Sequence, residues 1–157
     1  MIERAIGWPD YPMTIVTTAH GGEFSGCLVG FGTQCSIHPP RWLACISKRN
    51  HTYRVAALAQ ALVVHLLHAD QHDLAALFGH ETGDVTDKFA RCSWREGPYG
   101  IPVLAGCNWV AGRIIERFDL GDHGGHLLEL TDAGREHDDG PLLGFQEVHD
   151  IQAGHPP

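Results

Sequence analysis

Ser47, Lys48, Arg49, Asn50 and Thr52 place two hydroxyls, two cations and an amide within six positions. Side chains of these types hold a phosphate, which brings a charge of about −2 and three acceptor oxygens. Val55, Leu58, Ala59 and Leu62 follow at helical spacing, so Asn50 or Thr52 is the expected N-cap of a helix to about residue 61. The cluster then falls where unpaired backbone N–H groups favour an anion. Its alternative reading is a solvated turn with an ordinary cap. Upstream, Gly26, Gly30 and Gly32 fall at even spacings on one strand. A strand face without side chains lets another backbone or a ligand come close.

Other combinations carry less. His65, His68 and His72 would share a face, as a zinc site requires, only on one continuous helix. A strand end and a turn are expected between them, so no metal is expected. Five cysteines (27, 35, 45, 92 and 107), without a Cys-x-x-Cys pair, read as free buried thiols in a reducing compartment. A thiol nucleophile needs a histidine beside it in an accessible, electropositive place, and the apolar settings of Cys27 and Cys45 favour packing instead. No Gly-x-Gly-x-x-Gly unit is present, so a nicotinamide nucleotide would bind as a transient co-substrate without a Rossmann domain.

The elements that must position these residues follow from pattern. Residues 13–18 are a β-branched strand, reversed at His20-Gly21-Gly22-Glu23. Strands are expected at 24–32, 42–47, 62–67, 109–119 and 125–131, with the prolines of 36–40 as a connection and 120–124 as a turn. A second short helix starts near Asp70, presents Leu74, Leu77 and Phe78, and stops at Gly79. Residues 83–106 lack any period and read as a long surface loop, 141–148 as a last short strand, and 149–157 as a tail. Short hairpins make the sheet antiparallel, and about six strands with two covering helices hide their edges best by curling into a barrel. One domain over 1–157, with its core at about 11–148, is expected.

Eleven Lys and Arg against nineteen Asp and Glu leave a formal charge of −8, which argues against nucleic acid as a partner. The longest apolar stretch, 56–67, is interrupted by Gln60 and His65 and falls short of the roughly 20 residues of a spanning helix, so no membrane segment is expected. The start lacks a cationic segment followed by an apolar one, and a cytoplasmic location is expected.

Several motifs stand in register along residues 11–132. They are Val16-Thr17-Thr18, the Gly-rich strand, Ser36-Ile37-His38-Pro39-Pro40, Cys45-Ile46-Ser47 before a polar helix start, Asp87-Lys88-Phe89-Ala90, Gly100-Ile101-Pro102-Val103-Leu104 and Gly121-Asp122-His123. This order resembles the flavin reductase family of FMN-binding split barrels. The resemblance implies a mainly β fold with short helices, a six-stranded antiparallel split β-barrel, with FMN on its outer face. It implies that main-chain groups of Cys27, Leu28, Val29 and Gly30, with Thr33, Gln34, Cys35 and Ser36, hold the ring. Ser47, Lys48, Arg49, Asn50 and Thr52 then meet the phosphate, Phe89 lies beside the flavin, and His123 is the candidate catalytic residue. For His123 the alternative is a solvent-exposed turn histidine; for Lys88-Phe89 it is a packing ring beside a solvated cation.

The activity implied is hydride transfer from NADH or NADPH to FMN, with FAD as the alternative flavin, in a homodimer that serves a flavin-dependent monooxygenase. The competing readings are a module that keeps its flavin and acts on another substrate, and a non-catalytic flavin-binding protein. Leu28, Gly30, Phe31 and Gly32 stand where relatives carry a Thr-x-Asn-Ser-Phe type of stretch, and His38 stands where they carry Asp. Gly144 to Asp150 replaces an Arg-Gly-x-Tyr ending, which marks a subgroup or a different substrate side.

Overall fold

The computed structural model describes residues 1–80 and 87–151. Residues 81–86 and 152–157, and with them the first part of the expected 83–106 loop and most of the expected tail, lie outside the described residues. A short helix α1 (Ile2–Ile6), unanticipated and burying nothing, precedes β1 (Thr14–His20) and β2 (Glu23–Val29). His20 pairs with Glu23, so Gly21 and Gly22 alone make the turn, both at positive φ (58° and 80°). Glycine takes that conformation without a Cβ penalty.

There follow β3 (Gly32–Ser36), β4 (Arg41–Ser47), α2 (His51–Ala56), β5 (Ala61–Leu66) and α3 (His72–His80). After them come β6 (Trp94–Glu96), β7 (Pro102–Leu104), β8 (Asn108–Asp119) and β9 (His123–Gly134). The main sheet is antiparallel in the order β2-β1-β5-β8-β9-β4-β3. It has seven strands rather than the expected six. The expected strand 24–32 breaks at Gly30 and Phe31, and its far end turns back as β3 to pair with β4.

Val16, Cys27 and Val29 from one end of this order share a core with Ala44, Ile46 and Leu128 from the other. The sheet must therefore curl on itself, although its end strands β2 and β3 are not paired with each other, so the barrel is open. A second core (Met13, Ile15, Leu67, Phe78, Leu104, Leu143) lies between the sheet, α3 and the C-terminal segment.

Three further expectations are corrected. From Asp87 on, the supposed loop is a 3-10 turn (Lys88–Arg91) and a β6–β7 ribbon, with Phe89, Ile101, Val103 and Leu104 buried; three-residue strands leave no period to read. Helix α2 ends at Ala56 rather than near residue 61. Residues 141–148 form isolated bridges and a 3-10 turn (Phe145–Glu147) instead of a strand.

His65 is fully buried in β5: Nδ1 donates to the Ile15 carbonyl (2.9 Å) and Nε2 accepts the Leu104 N–H (3.0 Å). His72 pairs with Asp150 at 3.0 Å, and among the described residues no cluster of three or more His, Cys, Asp or Glu could hold a metal. The cysteines are free, but of the five expected to be buried only Cys27 and Cys107 are; Cys45 and Cys92 are half-buried, and Cys35 is exposed on the edge strand β3. Among the described residues no helix is long and apolar enough to cross a membrane.

Candidate functional site

A cleft of about 240 Å³ opens where β2 ends and β4 approaches it. Cys27, Leu28, Val29, Gly30 and Phe31 form one wall, continued by Cys45, Ile46, Ser47 and Asn50. Phe78 and Gly79 of α3, with Phe145, Val148 and Ile151, form the facing wall; Met13 and His123 complete it. The lining is mainly apolar, with the polar side chains Ser47, Asn50 and His123.

The glycines divide by purpose. A Cβ on Gly26 would come within 2.8 Å of the Phe78 ring, and one on Gly32 within 3.1 Å of Trp42 Nε1, so these two serve internal packing. A Cβ on Gly30 would make only ordinary contact, 3.4 Å from Met13 Sδ and 3.7 Å from the Phe145 ring. Of the three expected to admit a ligand, Gly30 is the one whose bare backbone faces the cleft.

His123 opens β9 beside the turn that Lys48 clamps. The Lys48 backbone N–H donates to the Asp122 carbonyl (2.9 Å), and Nζ donates to Asp119 (2.5 Å). That bond holds the Lys48 ammonium above its usual range and the Asp119 carboxyl below its own. The Asp122 carboxylate is bonded to His123 Nδ1 at 2.7 Å, which lowers the carboxyl's pKa and leaves Nε2 as the ring nitrogen for a ligand. The imidazole leans on Phe31, 5.1 Å between centroids. Burial pushes the Cys27 thiol up to about 11 and raises Cys45 as well, so neither is an accessible thiolate at neutral pH.

Cys27, Leu28, Val29, Gly30, Ser47, Asn50 and His123 are thus brought together as the sequence suggested. Thr33, Gln34, Cys35 and Ser36 are not in this cleft: β3 carries them past it, and Gln34, Cys35 and Ser36 line a separate shallow groove with Ile37 and His38. Lys48 and Arg49 flank the cleft without lining it. Asn50 Oδ1 accepts the Thr52 N–H (2.8 Å), so Asn50 is the cap, while Thr52 is buried with its hydroxyl bonded to Ser25 Oγ (2.8 Å). Phe89 lines a second cleft of about 590 Å³ with Phe24, Trp94, His51 and Lys88. Phe145, Val148 and Ile151 were not anticipated as lining, although the unusual ending from Gly144 pointed at that segment.

A family model described as flavin reductase like domain matches residues 10–151. The chain belongs to the flavin reductase like family. Among its relatives is the reductase component of 4-hydroxyphenylacetate 3-monooxygenase from Pseudomonas aeruginosa, 31% identical over 136 residues, 83% of this chain and 80% of the relative. A solved NADH:FAD oxidoreductase of Streptomyces globisporus is 28% identical with a TM-score of 0.79, covering 85% of this chain and 80% of that one. A flavin reductase domain protein from Arthrobacter, at 21% identity, shares the fold with a TM-score of 0.84 over 93% of this chain and 89% of its own. Two other curated relatives are longer, and the chain spans 49% and 36% of them. By family this chain is an oxidoreductase of the flavin reductase type.

The cleft of this flavin reductase-type protein can be tested against a flavin. A flat apolar ring needs exposed backbone N–H groups on one side, apolar side chains on the other and a few polar groups at its edge. Gly30 lines the cleft with main chain alone, Phe78, Phe145 and Ile151 supply apolar surface, and Ser47, Asn50 and His123 are its polar side chains. At about 240 Å³ the cleft is smaller than the roughly 300–1,000 Å³ of sites that enclose a whole ligand, so it accommodates the ring and leaves the rest of a flavin nucleotide outside.

Proposed function

We propose that this protein is an NAD(P)H-dependent flavin reductase that binds FMN with its ring in the cleft lined by Gly30, Ser47 and His123. The observation that carries the proposal is the pairing of a bare backbone at Gly30 with an apolar facing wall and with His123 beside it. The main chain of Cys27, Leu28, Val29 and Gly30 orients the ring, and Ser47 and Asn50 reach the polar part of the nucleotide, with Arg49 at the margin. When bound, the flavin supplies the two-electron acceptor.

The net reaction takes NAD(P)H, oxidised flavin and one proton to NAD(P)⁺ and reduced flavin. Cys27 and Cys45 remain thiols, whereas His123 lines the cleft with Nδ1 engaged by Asp122. His123 is therefore assigned the catalytic role of holding, at Nε2, the proton that balances the hydride. Phe145, Val148 and Ile151 exclude water from the ring.

A second copy of the chain completes the site. Among the described residues the outer edge of β3 is unpaired, and it runs beside Phe31, which is 50% exposed at the cleft. Reduced flavin then passes to a flavin-dependent monooxygenase, as the role named for the Pseudomonas relative suggests.

The test is titration of the purified protein with FMN by fluorescence quenching, then NADH and NADPH oxidation with FMN or FAD present. Saturable FMN binding and flavin-dependent oxidation are expected, with kcat reduced at least tenfold in His123→Ala. No flavin binding, or oxidation unaffected by His123→Ala and Gly30→Val, overturns the assignment. Gel filtration of the flavin complex separates a released flavin from a retained one.

A further inference from the structure

Phe31 stands in the two-residue break between β2 and β3, half exposed, and its ring has a neighbouring ring on two sides. His123 lies 5.1 Å from it, centroid to centroid, and Tyr11 lies 6.2 Å from it, edge to face at 79°. Tyr11 also meets Phe145 edge to face, at 5.9 Å and 78°. Edge-to-face rings with centroids about 4.5–7 Å apart are the favourable geometry of aromatic pairs. One tyrosine before β1 thus touches Phe31 and Phe145, two residues of the ring cleft, without lining the cleft itself.

The main chain fixes Tyr11. Its carbonyl accepts the Phe145 N–H (2.7 Å), and its own N–H donates to Asp10 Oδ1 (3.1 Å), the oxygen that also accepts the Gln146 N–H (2.9 Å). The Gln146 side-chain amide donates in turn to the carbonyls of Gly7, Trp8 and Pro9 at 3.1–3.3 Å. A Cβ on Gly144 would collide with the Asp10 carboxylate, so glycine there lets the N-terminal and C-terminal segments close on each other. The Tyr11 hydroxyl adds little: its bond to the Ile6 carbonyl is 3.4 Å long.

His123 needs such a support. Its bond to the Asp122 carboxylate, a side chain 74% exposed, sets the distance of Nδ1 but not the tilt of the ring. Phe31 is the ring that it leans on, and a half-exposed phenylalanine keeps one rotamer only where its neighbours restrict it. We infer that Tyr11 is a positioning residue for His123: it restricts Phe31, and Phe31 sets the tilt of the imidazole and with it the direction of Nε2. The ring of Tyr11 carries this role and its hydroxyl does not. The inference rests on the flavin reading of the ring cleft for the use made of Nε2.

The experiment combines NMR of the imidazole C–H groups in the ligand-free whole protein with FMN titration and NADH oxidation. Its variants are Tyr11→Ala, Tyr11→Phe, Phe31→Ala and the Tyr11→Ala/Phe31→Ala double, with the His123 signals identified by their loss in His123→Gln. In wild type the ring current of Phe31 should set these signals apart from those of the exposed histidines. They should move towards the latter in Tyr11→Ala and stay in place in Tyr11→Phe. Phe31→Ala should move them too, and the double variant no further than Phe31→Ala alone. In Tyr11→Ala the FMN Kd should rise roughly threefold and kcat fall by at least as much, with the KM for NADH within twofold of wild type and both losses restored in Tyr11→Phe. His123 signals unmoved in Tyr11→Ala, or equal losses in Tyr11→Ala and Tyr11→Phe, overturn the inference. So does a double variant in which the two displacements add. Should Tyr11→Ala fail to fold, Tyr11→Leu, which keeps bulk without a ring, decides by the same criteria. Wild type that binds no FMN refutes the flavin reading, whereas the signals of the free protein still decide whether Tyr11 sets the tilt of His123.

Discussion

The rings of His68 and His137 lie parallel, 3.9 Å apart and 9° between planes. Both nitrogens of His137 face acceptors: Nε2 the Asp70 carboxylate (2.8 Å) and Nδ1 the Asp138 carbonyl (2.6 Å). Both must donate, so the ring is an imidazolium that ties the chain after β9 to the turn before α3. The Asp138 carbonyl first, and Asp70 next, hold its pKa above the usual value.

The first prediction follows from that sign. A raised folded-state pKa gives stability that is fully present below about pH 6.5 and lost as pH climbs through the folded value. Wild type should therefore melt above His137→Gln at pH 6, and the gap should close towards pH 8.5. A gap that is constant or widens with pH contradicts the imidazolium assignment.

His65 predicts the opposite slope. Burial depresses its pKa to about 4, and its two bonds require the neutral ring with the proton on Nδ1. The unfolded chain takes up this proton first, so stability is present above about pH 6.5 and falls as pH drops towards 4, by about 2 kcal/mol at pH 5. Proton NMR of the ring should show no titration between pH 8 and 5. A midpoint near 6.5 would mean that the ring is not held as described.

Two glycines of the ring cleft should separate folding from binding. A Cβ on Gly79 would stand 2.6 Å from Ile151 and 2.9 Å from Leu28, so Gly79→Ala should cost about 1–3 kcal/mol by displacing the C-terminal wall. Gly30→Ala meets nothing closer than 3.4 Å and should melt with wild type, yet weaken FMN at least fivefold because its methyl, packed against Met13 and Phe145, narrows the cleft. Thermal melts beside FMN titrations decide both; a Gly30→Ala protein with undiminished FMN affinity would remove Gly30 from the site.

Lys48 and Asp119 form a clamp on the turn that carries His123. If clamping is their role, Lys48→Met and Asp119→Asn should each raise the FMN Kd by a similar, modest factor of roughly three, and the double variant should go no further. Were Lys48 a direct phosphate ligand, only its own replacement would weaken FMN, and Asp119→Asn would tighten it.

Local features of the chain were legible where neighbouring residues decide them. Gly21-Gly22 after a β-branched run dictates the first hairpin, Asn50 caps α2, and Gly30, Ser47, Asn50 and His123 were marked by residue type in motifs whose order also points to the family. What needed the tertiary structure was every decision made by distant partners. Lys48 offered a phosphate cation by type, but Asp119, 71 residues away, engages it. Gly26 and Gly32 looked open until Phe78 and Trp42 filled the space beside them. Phe145, Val148 and Ile151 close the cleft from the far end of the chain, and β6 and β7 are too short to leave a period. Turn, cap and strand preferences act over a few bonds and are written in consecutive residues, whereas a wall, a clamp or a filled cavity depends on which side chains the curled sheet brings within a few ångströms.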